Sequence, residues 1–346
     1  MNNNSQRPGV YSDYSVTPSL RRGVKVGTGA IVARGKGESA AMQTFTSLTQ
    51  LMGNTAYTSG STVLLAAELM FKSGVSKVYT ISLGNSTDIP TTAAYKTAFT
   101  SLCSIADIGA IVTDCNDSVT LKAALAEIKQ AGSGNTPRLI YGGGVGTTEV
   151  TTLAAALNNE RCIICYPPTK VGIQTAAIFT AASFAAQVLT LQSPIYTLNW
   201  VELPYVNCEI TLTETEVDTL INAGVTPFET KQGTTECIRA VTTASQEDKT
   251  LKSVNTILII DHVMSYIRDN LEILLKDGKG RAMSADSIAS QAAVLLSNKQ
   301  DEGLISSFEL PIVTASPDDP SVCTAQLAFK VSTVVSIIRI QATIRV

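Results

Sequence analysis

His262 is the only histidine in the chain, which removes most acid–base and metal options before any fold is considered. It lies in Ile259-Ile260-Asp261-His262, where an apolar run meets a helix, and Asp261 is too close in sequence to be taken as its catalytic partner. A multi-histidine metal centre cannot be built from this sequence. Cys162-Ile163-Ile164-Cys165 has the spacing of a redox pair or half a zinc site. It sits inside an apolar strand pattern, however, where the two sulfurs point to opposite faces. The best enzyme-like signal is Gly142-Gly143-Gly144-Val145-Gly146-Thr147-Thr148, after a predicted strand and before a predicted helix, where backbone amides can cradle phosphate. It lacks the Lys-Ser/Thr ending of a P-loop, and Thr147 stands where a dinucleotide loop has its third glycine. We read it as a tight βα turn, with a cytosolic α/β enzyme carrying a phosphate-binding loop as the alternative. Glu214 with Glu216 and Asp318 with Asp319 fall in a capping box and a Pro-flanked loop, so both pairs read as solvated surface. No cofactor and no metal are expected.

The elements that would position these residues alternate from about residue 61 onward. Helices are expected over 61–73, 92–103, 118–131, 147–157 and 174–191, and strands over 77–82, 109–113, 138–141 and 162–165. Strands separated by helices of this length imply right-handed crossovers and a mainly parallel sheet covered on both faces. After Pro194 strands are expected over 196–201 and 208–212. A helix then opens at the capping box Thr213-Glu214-Thr215-Glu216 and ends at Gly224. A hairpin over 225–230 and 237–242 and helices over 263–275 and 285–297 follow, the helices joined by Asp277-Gly278-Lys279-Gly280-Arg281. Strands over 308–314, 325–332 and the terminal run complete the chain. The fold class is thus α/β, a mainly parallel sheet flanked by helices, followed by a strand-rich α+β C-terminal portion. Four segments result: an extended arm over 1–22, an α/β domain over 23–193, an α+β domain over 194–332 and an arm strand over 333–346.

Bulk composition agrees with a large buried core: 346 residues, 45% hydrophobic, 16% charged and only 5% aromatic. The apolar content is therefore Ala, Val, Ile and Leu, which suits layered packing and extensive subunit contact. A net charge of -3 gives no electrostatic reason to expect nucleic acid or an anionic membrane as a partner. Val171 to Val201 holds no charged side chain but is too rich in Ala, Thr, Ser and Gln for a membrane span, so a buried helix is expected. The first six residues lack a secretory pattern, and the seven cysteines are too sparse for a disulfide scaffold, so a reduced, cytosolic setting is expected.

Both ends are patterned as donors. Ile338, Ile340, Ala342, Ile344 and Val346 share one face of a terminal strand whose other face is polar. At the other end Pro8-Gly9-Val10-Tyr11 and Tyr14-Ser15-Val16 form a Pro-punctuated arm with too few apolar residues for a core of its own. Such strands are paired internally or offered to a neighbour.

The order of these features resembles the sheath proteins of contractile phage tails. The resemblance rests on Leu212-Thr213-Glu214 through Ala223-Gly224-Val225, the hairpin ending in Arg239-Ala240-Val241-Thr242-Thr243, the Ala-rich helix before Ser193-Pro194-Ile195-Tyr196, the amphipathic helix from His262, and the Pro8-Gly9-Val10-Tyr11 start. It spans nearly the whole chain, and the short length is most like the trimmed sheath of a phage-tail-like bacteriocin of the diffocin type or a related clostridial myophage. The resemblance implies a non-enzymatic subunit that stacks as hexameric rings around an inner tube and contracts to drive that tube through a target envelope. It implies self-association, the tail tube protein, and baseplate and tail terminator proteins as partners, without nucleic acid or membrane insertion. The particle would assemble in the bacterial cytoplasm and then be released. Val10, Tyr11, Val16, Ile338, Ile340, Ala342, Ile344 and Val346 would be the exchanged strand residues, with Leu327, Phe329 and Val331 on the strand retained by the parent subunit. Lys279 and Arg281 are candidates for contact with the tube.

Overall fold

The computed structural model describes residues 27–35, 40–55, 57, 60–85, 90–133, 138–244, 251–277, 284–319 and 322–334. Strands β1 (Thr28–Gly35) and β2 (Ala40–Phe45) precede a short helix α1 (Leu48–Met52). Helices and strands then alternate through α2 (Thr62–Lys72), β3 (Lys77–Asn85), α3 (Thr92–Cys103), β4 (Ile108–Thr113), α4 (Ser118–Ser133), β5 (Leu139–Gly143), α5 (Thr147–Leu157) and β6 (Cys162–Tyr166). A small hairpin, β7 (Thr169–Val171) and β8 (Gln174–Ala176), leads into α6 (Ala177–Leu189). Beyond it come β9 (Glu202–Leu203), α7 (Glu214–Ala223), β10 (Val225–Lys231), β11 (Thr234–Cys237), α8 (Val254–Asp277) and α9 (Ala285–Asp301). The last strands are β12 (Ile305–Phe308), β13 (Ile312–Ala315), β14 (Cys323–Gln326) and β15 (Phe329–Val331).

Among the described residues the main sheet has nine strands in the order β2-β3-β1-β4-β5-β6-β10-β11-β9. The run from β3 to β10 is parallel, and β2, β11 and β9 pair antiparallel at the two ends. Because both faces are covered, the inner strands are continuous apolar runs rather than alternating ones. Ile31 and Ala33 belong to the core under α2 and α6. Ala30 and Val32 belong to the core under α3, α4, α5 and α7. β10 lies beyond residue 193, yet it pairs with β6 and continues the same sheet.

A third, smaller core joins α8 to α9 through Ile259, Val263, Ile267, Leu295 and Leu296, with Leu304 and Ile305 at the start of β12. Val254 and Ile257, in the first turn of α8, are buried in the first core instead. One continuous helix therefore belongs to both bodies. Its polar side carries Asp261, which accepts a bidentate pair from Arg161 at 2.5 and 2.7 Å. That ion pair fastens α8 to the start of β6, with burial pushing the Asp261 carboxyl up and Arg161 pulling it back down.

Several sequence expectations are corrected by the fold. β1 and β2, for which no element was expected, lie in the sheet, and β1 is central in it. The apolar run before His262 is itself helical, so α8 starts nine residues earlier than residue 263. The strands expected over 196–201 and 208–212 are absent as such: only Glu202 and Leu203 pair with β11, and Asn207 makes a single bridge to Lys170. Residues 174–176 form β8 rather than the first turn of the helix expected over 174–191. Pro311, which has no N–H to give, separates the strand expected over 308–314 into β12 and β13, which join different two-stranded sheets. The hairpin strand expected over 237–242 stops at Cys237, because the Thr226 hydroxyl takes over the backbone of Val241, accepting from its N–H and donating to its carbonyl.

Candidate functional site

The glycine loop is a packed turn, and the amides of Val145 and Gly146 in it are already used. α5 begins at an N-cap Gly146, and Glu149, in its first turn, reaches back to accept from the amides of Val145 at 3.2 Å and Gly146 at 3.3 Å. Its other carboxylate oxygen takes the Asn116 amide at 2.6 Å. A carboxylate therefore occupies the position at the helix start where a phosphate would be held. Gly143 and Gly144 are required by close approach. A Cβ on Gly143 would stand 2.8 Å from the Cys165 carbonyl oxygen, and one on Gly144 would stand 2.8 Å from Val150 Cγ1.

Cys162 and Cys165 are fully buried on opposite faces of β6, the former in the second core and the latter in the first. Burial pushes the Cys162 thiol up to about 12, and the Cys165 thiol rises for the same reason. Neither is poised as a thiolate. His262 is exposed on α8, and no group of His, Cys, Asp and Glu among the described residues could hold a metal ion.

In a doubly wound sheet, ligands bind where strand order reverses, at the carboxyl ends of the strands. Here that place lies between β1 and β4. Asp114, just past β4, accepts from the Arg34 amide at 3.0 Å, from Arg34 Nε at 2.8 Å and from the Tyr95 hydroxyl at 2.7 Å. The described groups at the switch point are thus bonded to one another.

The C-terminal portion offers surfaces instead. β12 pairs with β15, and β13 with β14, each as an isolated two-stranded sheet among the described residues. Leu327, Phe329 and Val331 turn toward the third core. The β13–β14 pair is largely exposed, with Leu310 80%, Ile312 60% and Val322 51% accessible around it. Val10, Tyr11, Val16, Ile338, Ile340, Ala342, Ile344, Val346, Lys279 and Arg281 lie outside the described residues. Sequence reading missed a group at the far end of the main sheet: Tyr196, Trp200 and Tyr205, each more than half exposed. The signal available was the chain's one tryptophan at the end of a charge-free run. Among the described residues no helix is long and apolar enough to cross a membrane. α6, the Ala-rich one, is buried against the sheet.

No protein-family model matches this sequence, and no curated protein matches it either. Solved structures do match in three dimensions. A chain of the anti-feeding prophage baseplate, determined with 6-fold symmetry, superposes with a TM-score of 0.72 at 12% identity, covering 99% of this chain and 100% of that one. The helical sheath of the anti-feeding prophage in its contracted state gives a TM-score of 0.70 at 12% identity over 98% and 99% of the two chains. The sheath tail protein of Desulfitobacterium hafniense gives 0.65 at 12% identity over 93% and 100%. From β1 to the small C-terminal sheets, this chain has the fold of tail sheath proteins.

Proposed function

We propose that this protein is the structural subunit of a contractile tail sheath. The observation that carries the reading is the likeness to the contracted helical sheath over 98% of this chain and 99% of that one. Near-complete mutual coverage with that chain supports reading this one as the sheath of a phage-tail-like particle. In this reading subunits stack as hexameric rings around an inner tube, with the baseplate and a terminator protein at the ends. The particle assembles in the bacterial cytoplasm and is released with its target still to be met. Contraction consumes no nucleotide: its energy is the difference between two packings of the same subunits, summed over a cooperative lattice.

The two small sheets suit the role of strand acceptors. A two-stranded sheet is marginal in water, and each strand in these has one edge without a described partner. Val10, Tyr11 and Val16 at one end and Ile338, Ile340, Ala342, Ile344 and Val346 at the other would extend sheets of neighbouring copies. Lys279 and Arg281, between α8 and α9, would face the tube. Removing Thr343 to Val346 should leave a folded, soluble subunit that forms no sheath in electron micrographs when the tube protein is co-expressed. Sheaths of normal length from the truncated chain would remove the donated-strand reading.

A further inference from the structure

The main sheet ends in β2 on one side and β9 on the other, with no further described strand beyond either. Solvent-facing edges are normally blunted by charge, proline or a covering element, because unpaired amides and carbonyls template association. β2 carries neither charge nor proline. No Asp, Glu, Lys or Arg occurs from Ser39 to Ala67, although much of β2 and α1 is exposed, with Met42 41% and Met52 58% accessible. Surface depleted of charge and bearing exposed methionine has the composition of an interface core.

The opposite end is built differently. Trp200 is 55%, Tyr205 59% and Tyr196 55% exposed, around β9. Trp200 and Tyr205 both hold positive φ, 62° and 70°, which costs a bulky residue roughly 1–2 kcal/mol each. Trp200 is kept there by its amide, which donates to the Cys237 carbonyl at 2.6 Å, and the Tyr205 ring lies under Lys72 Nζ, 5.7 Å from its centroid. Buried Asn255 fixes the approach, donating to the carbonyls of Pro194 and Tyr196 and accepting from the Leu198 amide. Aromatic rings held on a strained, anchored backbone at a surface are pre-organised anchors for a partner.

The two ends are unlike and chemically complementary, thioethers on one and aromatic rings on the other, and sulfur–aromatic contacts are favourable. One chain carries both halves, which identifies the partner as a second copy. A contact between unlike patches is heterologous, so it repeats from copy to copy and generates rings or helices. We propose that the β2 edge of one copy, with Met42 and Met52, docks against the Trp200–Tyr205 end of the next. The inference rests on the sheath reading for the existence of an assembly, and on this geometry for where copies meet.

The test uses the full chain in a Cys323→Ser background, co-expressed with the tube protein. Copies carrying Met42→Cys are mixed with copies carrying Tyr205→Cys, assembled and oxidised. A cross-linked dimer that requires both variants is expected, and its absence from assembled material overturns the proposal. In parallel, Thr44→Lys and Trp200→Ala should each raise the concentration needed for assembly by at least about tenfold, with thermal melting confirming a folded subunit. Unchanged assembly of both variants overturns the docking site while leaving the sheath reading intact. A parent chain that never assembles with the tube removes the sheath reading and this proposal together.

Discussion

Asn255 is 3% exposed, and its whole amide is directed at the backbone of residues 194–198. Replacing it with alanine strands three backbone groups with little access to water, so Asn255→Ala should destabilise the subunit by about 3 kcal/mol in urea unfolding. Asn255→Asp should be little better, because a carboxylate would then face two carbonyls; near-parent stability of either variant would show that water replaces the side chain without cost. The cysteines make a second prediction. Cys162 and Cys115 are pushed up to about 12 and about 11 by burial, and Cys165 and Cys237 rise as well. Below about pH 8.5 these thiols are neutral in both folded and unfolded chains, and stability is unaffected by them. Above it the unfolded chain releases protons that the folded chain retains. Each pH unit should then remove up to about 1.4 kcal/mol per thiol until the folded value is reached. Denaturant midpoints should fall steadily from pH 9 to 10.5, and a flat profile would mean that the thiols ionise in place. Cys323, exposed on β14, should be the first to react with a thiol reagent at neutral pH.

α8 is the element on which the two bodies depend, and its attachment can be measured. Arg161 and Asp261 are 25% and 17% exposed at their side chains. Removing one partner therefore leaves a largely buried charge. Arg161→Ala should cost about 3 kcal/mol, and adding Asp261→Ala should recover part of it, since the pair replaced together leaves no orphan charge. Equal loss in single and double variants would mean that the pair contributes only packing. The same helix explains what the sequence did and did not disclose. Apart from Asn255, Val254 to Ile260 are apolar or β-branched and strand-like in composition, yet the run is helical because its first turn fills the first core and the next turns fill the third. β1 was missed for a related reason: Ala30-Ile31-Val32-Ala33 is buried on both faces, so it has no alternation to detect. α7, by contrast, was legible to the residue, since Thr213 and Glu216 form a reciprocal cap and Gly224 takes φ +85° at its end. Local chemistry fixes such ends, whereas strands over 196–201 and 208–212 needed a sheet edge that is already occupied by two residues of β9. The exposed aromatic end was illegible because exposure is a property of the fold, while the glycine loop could be read because a missing lysine is visible in the sequence itself.

At the scale of the molecule, burial is distributed unevenly. The nine-stranded sheet is sandwiched between two large apolar cores, whereas the third core is small and the β13–β14 pair beside it is almost wholly exposed. Opening free energy follows local burial, so the amides of β13 and β14 should exchange with solvent by local opening long before those of β1, β4 and β5 in an isolated subunit. If neighbouring copies add strands to these sheets, edges that face water in the subunit become interior in the assembly. Protection at β12–β15 or β13–β14 should then rise by at least about tenfold on assembly, while the already slow amides of the main sheet change little. The β2 edge discriminates further: protection gained there as well would mean that copies meet at the main sheet in addition to the small ones. Unchanged exchange throughout both small sheets in a fully formed sheath would mean that subunits are joined by side-chain contact rather than by shared backbone hydrogen bonds, and the patterned termini would then need another partner.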